Sequence, residues 1–168
     1  MPKYVTEQRV GHSANEMLAL VADVERYPGF VPLCEKLVIR ARRAEGAREI
    51  MVADMTIAYA VIRETFTTQV TVDRTARTVA ASYLDGPFRH LDSEWRFRPA
   101  GEHACMVRFA IDYEFRSRVL AAVMGGVFDT AIRKFHGAFR ARADAVYGAP
   151  TIRHEGVDSA ASARGSPR

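Results

Sequence analysis

The sequence predicts an α+β fold, a curved antiparallel sheet of about seven strands wrapped around one long C-terminal helix. Three observations predict it. Residues 117–147 carry Leu120, Met124, Val127, Phe128, Ala131, Phe135, Ala138, Phe139 and Val146 at helical spacing, an apolar stripe held over about eight turns. Residues 35–116 alternate apolar and polar side chains with a period of two, interrupted by turn signals, as strands with one dry face do. A first strand and a short helix precede them, so the order is β-α-loop-β6-α, a sheet that grips a helix.

Tyr4 to Val10 alternates and forms the first strand. Ser13-Ala14-Asn15-Glu16 is a capping box, with Met17, Leu20, Val21 and Val24 following at helical spacing, so a short helix runs to about Arg26. Tyr27-Pro28-Gly29-Phe30-Val31-Pro32-Leu33-Cys34 ends it, because its two prolines and glycine do not belong inside a helix. The segment is apolar, which is unusual for a loop. It reads as the gate of a cavity, as an element dipping into a bilayer surface, or as a cap on the core.

Six strands follow. Leu37, Ile39 and Ala41 share one face before the Glu45-Gly46 turn; Met51, Ala53, Met55, Ile57 and Tyr59 share a face of the next strand. Phe66, Thr68, Val70 and Val72 face one way, and Asp73-Arg74-Thr75-Ala76 turns into Arg77 to Asp85. After Gly86-Pro87 come Leu91, Trp95 and Phe97, and after Pro99-Ala100-Gly101-Glu102 come Cys105, Val107, Phe109, Ile111, Tyr113 and Phe115. The long helix contains no proline, and Gly148-Ala149-Pro150 stops it. Residues 1–148 form one domain; residues 149–168 lack periodicity and large apolar groups and are expected to be a disordered tail.

The 168 residues suffice to bury a core, and 48% hydrophobic with 26% charged residues is ordinary for a globular chain. Cys34 and Cys105 stand far apart without CxxC spacing, against a disulfide scaffold or zinc site and in keeping with a reducing compartment. No apolar run approaches the roughly 18 residues of a membrane span. Met1-Pro2-Lys3-Tyr4 runs straight into a strand pattern, so no targeting sequence is expected. The net charge of +4 comes from arginines spread along the chain, not from a concentrated basic patch, and no DNA partner is expected.

A long helix over a strongly bent sheet need not touch it everywhere. Where it stands off, Met51, Met55, Tyr59, Phe66, Leu91, Trp95, Phe109, Tyr113, Met124, Phe128 and Phe135 are the expected lining of an apolar, partly aromatic pocket. The same residues also read as an ordinary packed core. Gly125-Gly126, costing about 1 kcal/mol each within a helix, reads as thinning over a ligand or as close approach and bending over the sheet.

Catalytic patterns are missing. His12, His90, His103, His136 and His154 show no metal spacing, and His136, beside Phe135, reads as a surface residue or as touching the cavity edge. No GxSxG, phosphate-binding loop or dinucleotide fingerprint occurs. Neither cysteine has a partnered base, and Glu64, the one carboxylate on an apolar face, reads as a strand-end residue. The chain is therefore expected not to be an enzyme and to need no cofactor or metal.

The stretches Tyr27-Pro-Gly-Phe-Val-Pro-Leu-Cys34, Arg63-Glu-Thr-Phe-Thr-Thr-Gln-Val-Thr71, Gly86-Pro-Phe-Arg-His-Leu-Asp-Ser-Glu-Trp-Arg-Phe97, Val107-Arg-Phe-Ala-Ile-Asp-Tyr-Glu-Phe-Arg-Ser-Arg118 and Met124-Gly-Gly-Val-Phe-Asp129 resemble the coenzyme-Q-binding group of the START-like (polyketide cyclase/SRPBCC) superfamily. That group also includes the bacterial ribosome-association toxins. The resemblance spans about residues 3–148 and implies a helix-grip fold. It implies a polyisoprenoid quinone (ubiquinone) held in a hydrophobic tunnel and delivered to respiratory electron transport without known catalysis. Phe30, Val31, Pro32 and Leu33 would be the entrance; Met55, Tyr59, Phe66, Leu91, Trp95, Phe109, Tyr113, Met124 and Phe128 would form the wall. It further implies a cytoplasmic protein peripheral to an inner respiratory membrane. Two alternatives accompany it: a toxin-like protein that binds the ribosomal large subunit and blocks subunit association, and a cyclase/aromatase-type enzyme.

Overall fold

The computed structural model describes residues 3–149. The expected tail lies, from residue 150 onward, outside them. The elements are β1 (Lys3–Val10), α1 (Ala14–Ala22), a 3-10 segment (Val24–Gly29), β2 (Cys34–Glu45), β3 (Arg48–Tyr59), β4 (Ile62–Asp73), β5 (Thr78–Asp85), β6 (Phe88–Pro99), β7 (Cys105–Phe115), α2 (Arg118–Arg133) and α3 (Phe135–Tyr147). All seven strands join one antiparallel sheet in the order β1-β7-β6-β5-β4-β3-β2. The α+β architecture read from the periodicity is the one observed.

Local chemistry places the turns. The Ser13 side chain accepts from Glu16 N–H while Glu16 accepts from Ser13 N–H, closing both halves of the capping box. Asp73 turns β4 into β5 by accepting from Thr75 and Ala76 N–H at 3.1 and 2.9 Å. Gly86 sits at φ +138°, and a Cβ there would lie 2.6 Å from Phe66 Cβ, so only glycine lets β4 and the β5–β6 turn approach this closely. Strict alternation along β7 buries Cys105, Val107, Phe109, Ile111, Tyr113 and Phe115 on the concave face, which the helices cover.

Three expectations are corrected. The single long helix is two, because Lys134 (φ −92°, ψ −4°) tightens the chain into a 3-10 turn whose N–H reaches Ala131 and Ile132 carbonyls. With the axis broken there, Phe135, His136 and Phe139 all turn toward the sheet, whereas Val146 is left exposed. The proline segment is partly helical: Pro28 lies within the 3-10 segment, which loses little from a missing donor because Phe30 and Val31 N–H both bond Tyr27 carbonyl. Finally, neither Gly125 nor Gly126 approaches the sheet, since added Cβ atoms would meet nothing within 4 Å.

Candidate functional site

Between the concave face and α2–α3 lies an apolar cavity of about 110 Å³. Strands β2 to β7 supply its walls, and the floor of small residues that leaves it empty is Ala53, Ala81 and Ala131. Trp95, Phe109, Phe128, Phe135 and Phe139 form an aromatic side; Trp95 and Phe109 lie 4.4 Å apart between ring centroids, and Trp95 and Phe139 4.8 Å. No charged side chain lines this space among the described residues, and its polar groups are the hydroxyls of Thr68, Ser93 and Tyr27. The Tyr27 hydroxyl donates to Val21 carbonyl, and burial holds its phenol far above the ordinary value, so it stays neutral. Thr68 and Ser93 are the hydroxyls that a guest's carbonyl oxygen could meet.

The proline loop closes the cavity on one side. Val31, Pro32 and Leu33 line it, and Leu33 stands at φ +67°, a strained conformation for a branched residue, held by Ala58 N–H bonding its carbonyl at 3.0 Å. Phe30, half-buried, packs against Tyr27 and Phe139.

Of the residues expected at the site, Val31, Pro32, Leu33, Met55, Phe66, Leu91, Trp95, Phe109, Phe128 and Phe135 line the cavity. Five do not. Met51 is fully buried on β3 outside the lining. Phe30 stands behind the lining. Tyr59 is 50% exposed at the β3 end, where the strand runs past the core. Tyr113 and Met124 are fully buried where α2 seats directly on the sheet; Phe88, Phe115, Tyr113 and Phe128 fill that end, with Phe88 stacked on Phe115 at 4.7 Å and Tyr113 on edge to Phe128 at 4.7 Å. The hollow is therefore shorter than expected and shifted toward β2–β5. Sequence reasoning missed Ala53, Ala81 and Ala131, because small inward residues carry no visible signal of a wall although they create the space.

His136 is the other surprise. It is 6% exposed, not a surface residue, with its ring 5.6 Å from that of Trp95 and its Nε2 without a hydrogen-bond partner. Burial, with the Arg140 charge adding to it, lowers its pKa to about 4. Burial also pushes Cys34 up to about 11 and Cys105 up to about 12, so neither thiol is a thiolate near neutrality. Glu64 is half-buried on β4 and does not reach the cavity.

With this geometry in place, comparisons with known proteins place the chain. The sequence profile described as "Polyketide cyclase / dehydrase and lipid transport" matches residues 10–140. The chain belongs to that family. Among family relatives, a ribosome association toxin, RatA, of Vibrio cholerae is 36% identical over 139 residues, covering 83% of this chain and 93% of the relative. A mitochondrial coenzyme Q-binding protein, COQ10, of Drosophila melanogaster is 28% identical over 153 residues, covering 89% of this chain and 62% of the relative. An 18 kDa protein of Caulobacter crescentus, solved in solution, matches at TM-score 0.72 and 34% identity, covering 89% of this chain and 100% of the other.

The Zhui aromatase/cyclase of a Streptomyces species superposes at TM-score 0.72 with 18% identity, over 85% of this chain and 93% of the other. Norcoclaurine synthase of Thalictrum flavum does so at 0.60 with 16% identity, over 83% and 84%. These likenesses show the fold alone, and they overturn the expectation that the chain is not an enzyme: the family's fold serves enzymes, so missing motifs do not exclude turnover. No helix among the described residues is long and apolar enough to cross a membrane.

Proposed function

We propose that this chain binds a ring-bearing isoprenoid lipid of the ubiquinone class in the cavity and acts as a lipid chaperone for respiratory electron transport. The observation that carries this reading is the uncharged, aromatic-walled hollow with two hydroxyls, Thr68 and Ser93, for a ring carbonyl. At about 110 Å³ it has room for a single ring, comparable with an engineered cavity of about 150 Å³ that takes benzene. A tail would lie beyond it, between the proline loop and α3. The quinone is cargo, not a cofactor, and the protein would work at the cytoplasmic side of the respiratory membrane, as a peripheral visitor. The name of the Drosophila relative supports the same ligand.

The test is to purify the chain from quinone-producing cells, extract it with organic solvent and identify the bound mass. Unchanged ubiquinone near equimolar ratio supports the reading; an empty protein contradicts it, and a chemically altered ligand points to turnover.

A second reading has its own observation: the relatives at 34–36% identity are named for ribosome association or toxin action. Under it the chain binds the ribosomal large subunit. Gradient sedimentation of lysate decides, since such a protein travels with large subunits.

A further inference from the structure

Five large apolar side chains are exposed at one end of the sheet. Tyr59 and Val61 mark the β3–β4 turn, Leu84 lies where β5 ends, and Val119 and Val123 stand on the first two turns of α2; Val61 is 95% and Val119 75% exposed. They share an end because β3, β5 and β7 all finish there, and Arg116 N–H bonds Pro87 carbonyl to hold α2's start beside the β5–β6 turn. The cavity's proline loop reaches the same end through the Ala58–Leu33 hydrogen bond.

Beside the two valines, on the neighbouring face of α2, a second cleft opens between α2 and β6–β7. Arg89, Arg116 and Arg118 line it, and none of the three forms an ion pair among the described residues. Of the cleft's two carboxylates, Asp129 is engaged by Arg133 at 2.9 Å, while Glu114 stands 3.8 Å from the His90 ring. Gly125, with open space around its Cα, keeps the helix wall low. Glu35 at this end is held bidentate by Arg63, while Glu64 and Asp85 lie on β4 and β5 outside the cleft. The end thus offers free guanidinium groups next to bare valine and leucine side chains.

We propose that this end docks on a bilayer containing anionic phospholipid, with Arg89, Arg116 and Arg118 on lipid phosphates and Val61, Leu84, Val119 and Val123 entering the headgroup layer. Phosphate alone would explain the arginines, but only a surface with hydrocarbon behind its phosphates also takes up the apolar side chains. Bilayer dipping, one of the readings of the proline loop, passes to these residues, since Phe30 is half-buried with its ring against Tyr27 and Phe139. The inference rests on the proposed lipid-chaperone reading in one respect: it sets the cavity's proline loop at the membrane.

The experiment is flotation of the full chain with phosphatidylcholine vesicles, with and without phosphatidylglycerol. Binding is expected only with the anionic lipid and is expected to fade with salt. The triple variant R89Q/R116Q/R118Q is expected to lose about a hundredfold in affinity, about fivefold per arginine. V61D/V119D is expected to abolish flotation, while V5D on β1 is expected to leave it unchanged. Extracted lipid content, measured on the same preparations, separates a failure of docking from a failure of ligand binding. Independently of any variant, amide exchange over residues 59–62 and 117–123 slows on adding anionic vesicles. No flotation by wild type that still carries its lipid overturns the proposal. So does arginine-dependent binding to large ribosomal subunits that is indifferent to V61D/V119D, which makes the cleft an RNA surface.

Discussion

Phe30 of the proline loop meets Phe139 of α3 edge-on, their ring centroids 5.0 Å apart at 87°. Arg142 lies over the outer face of Phe30, its guanidinium 5.4 Å from the ring centre. These contacts tie the loop to α3 along the cavity's side. Because the hollow of about 110 Å³ has room for a ring and not for a tail, a long ligand would enter only when they part.

Phe30→Ala therefore costs about 2 kcal/mol in denaturant unfolding, less than the usual 3–5 for a fully buried phenylalanine because Phe30 is only partly buried. It also speeds release of bound quinone to acceptor vesicles by about fivefold, given that aromatic pairs contribute about 1 kcal/mol beyond burial. Stopped-flow transfer measures the rate. An unchanged rate places the entrance elsewhere.

Ala131→Leu puts its added methyl groups into the empty space beneath α2. Unfolding free energy stays within about 1 kcal/mol of wild type, since the new atoms fill a void and displace no neighbour. Quinone affinity falls by at least about tenfold. Retained affinity in a stably folded A131L would show that the guest does not occupy this hollow.

His136 gives a pH signature. Its folded pKa is lowered to about 4, first by burial and then by Arg140, while the unfolded chain titrates near 6.5. Between those values the unfolded state takes up a proton that the native state refuses, so stability is full above about pH 6.5 and falls as the pH drops toward 4, by up to about 3 kcal/mol. His136→Phe removes this loss, and its unfolding free energy is flatter across that window. Parallel profiles for the two proteins would contradict the burial of a neutral imidazole.

Two glycines separate strain from collision. A Cβ added at Gly86 (φ +138°) would lie 2.6 Å from Phe66 Cβ, whereas Gly101 (φ +114°) has open space where a Cβ would stand. Gly86→Ala costs at least about 3 kcal/mol and Gly101→Ala about 1–2, the backbone strain alone. Thermal unfolding of the pair reads the difference, and equal losses would remove the close approach from the account.

The sequence made the fold legible because period-two alternation in β4 and β7 leaves few choices of face, and because Ser13 with Glu16 and Asp73 with the residues after it mark their own ends. The large lining residues were legible for the same reason. Their arrangement was not. Alternation tells which side Tyr113 and Met124 face, but not that α2 sits directly on them while Ala53 and Ala131 face a void. The break at Lys134 has no proline or glycine at that residue to announce it, and it decides that His136 is buried. Docking height and axis breaks depend on contacts between distant elements, which spacing along the chain does not encode.

Trp95, the chain's single tryptophan, lines the cavity, and quinones quench indole emission on contact. Titration with a short-tailed ubiquinone is therefore the most direct test of a quinone-binding interior. The account predicts saturable quenching that ends near one quinone per chain and is lost in A131L. Quenching that rises linearly without saturation, equal in both proteins, would contradict it.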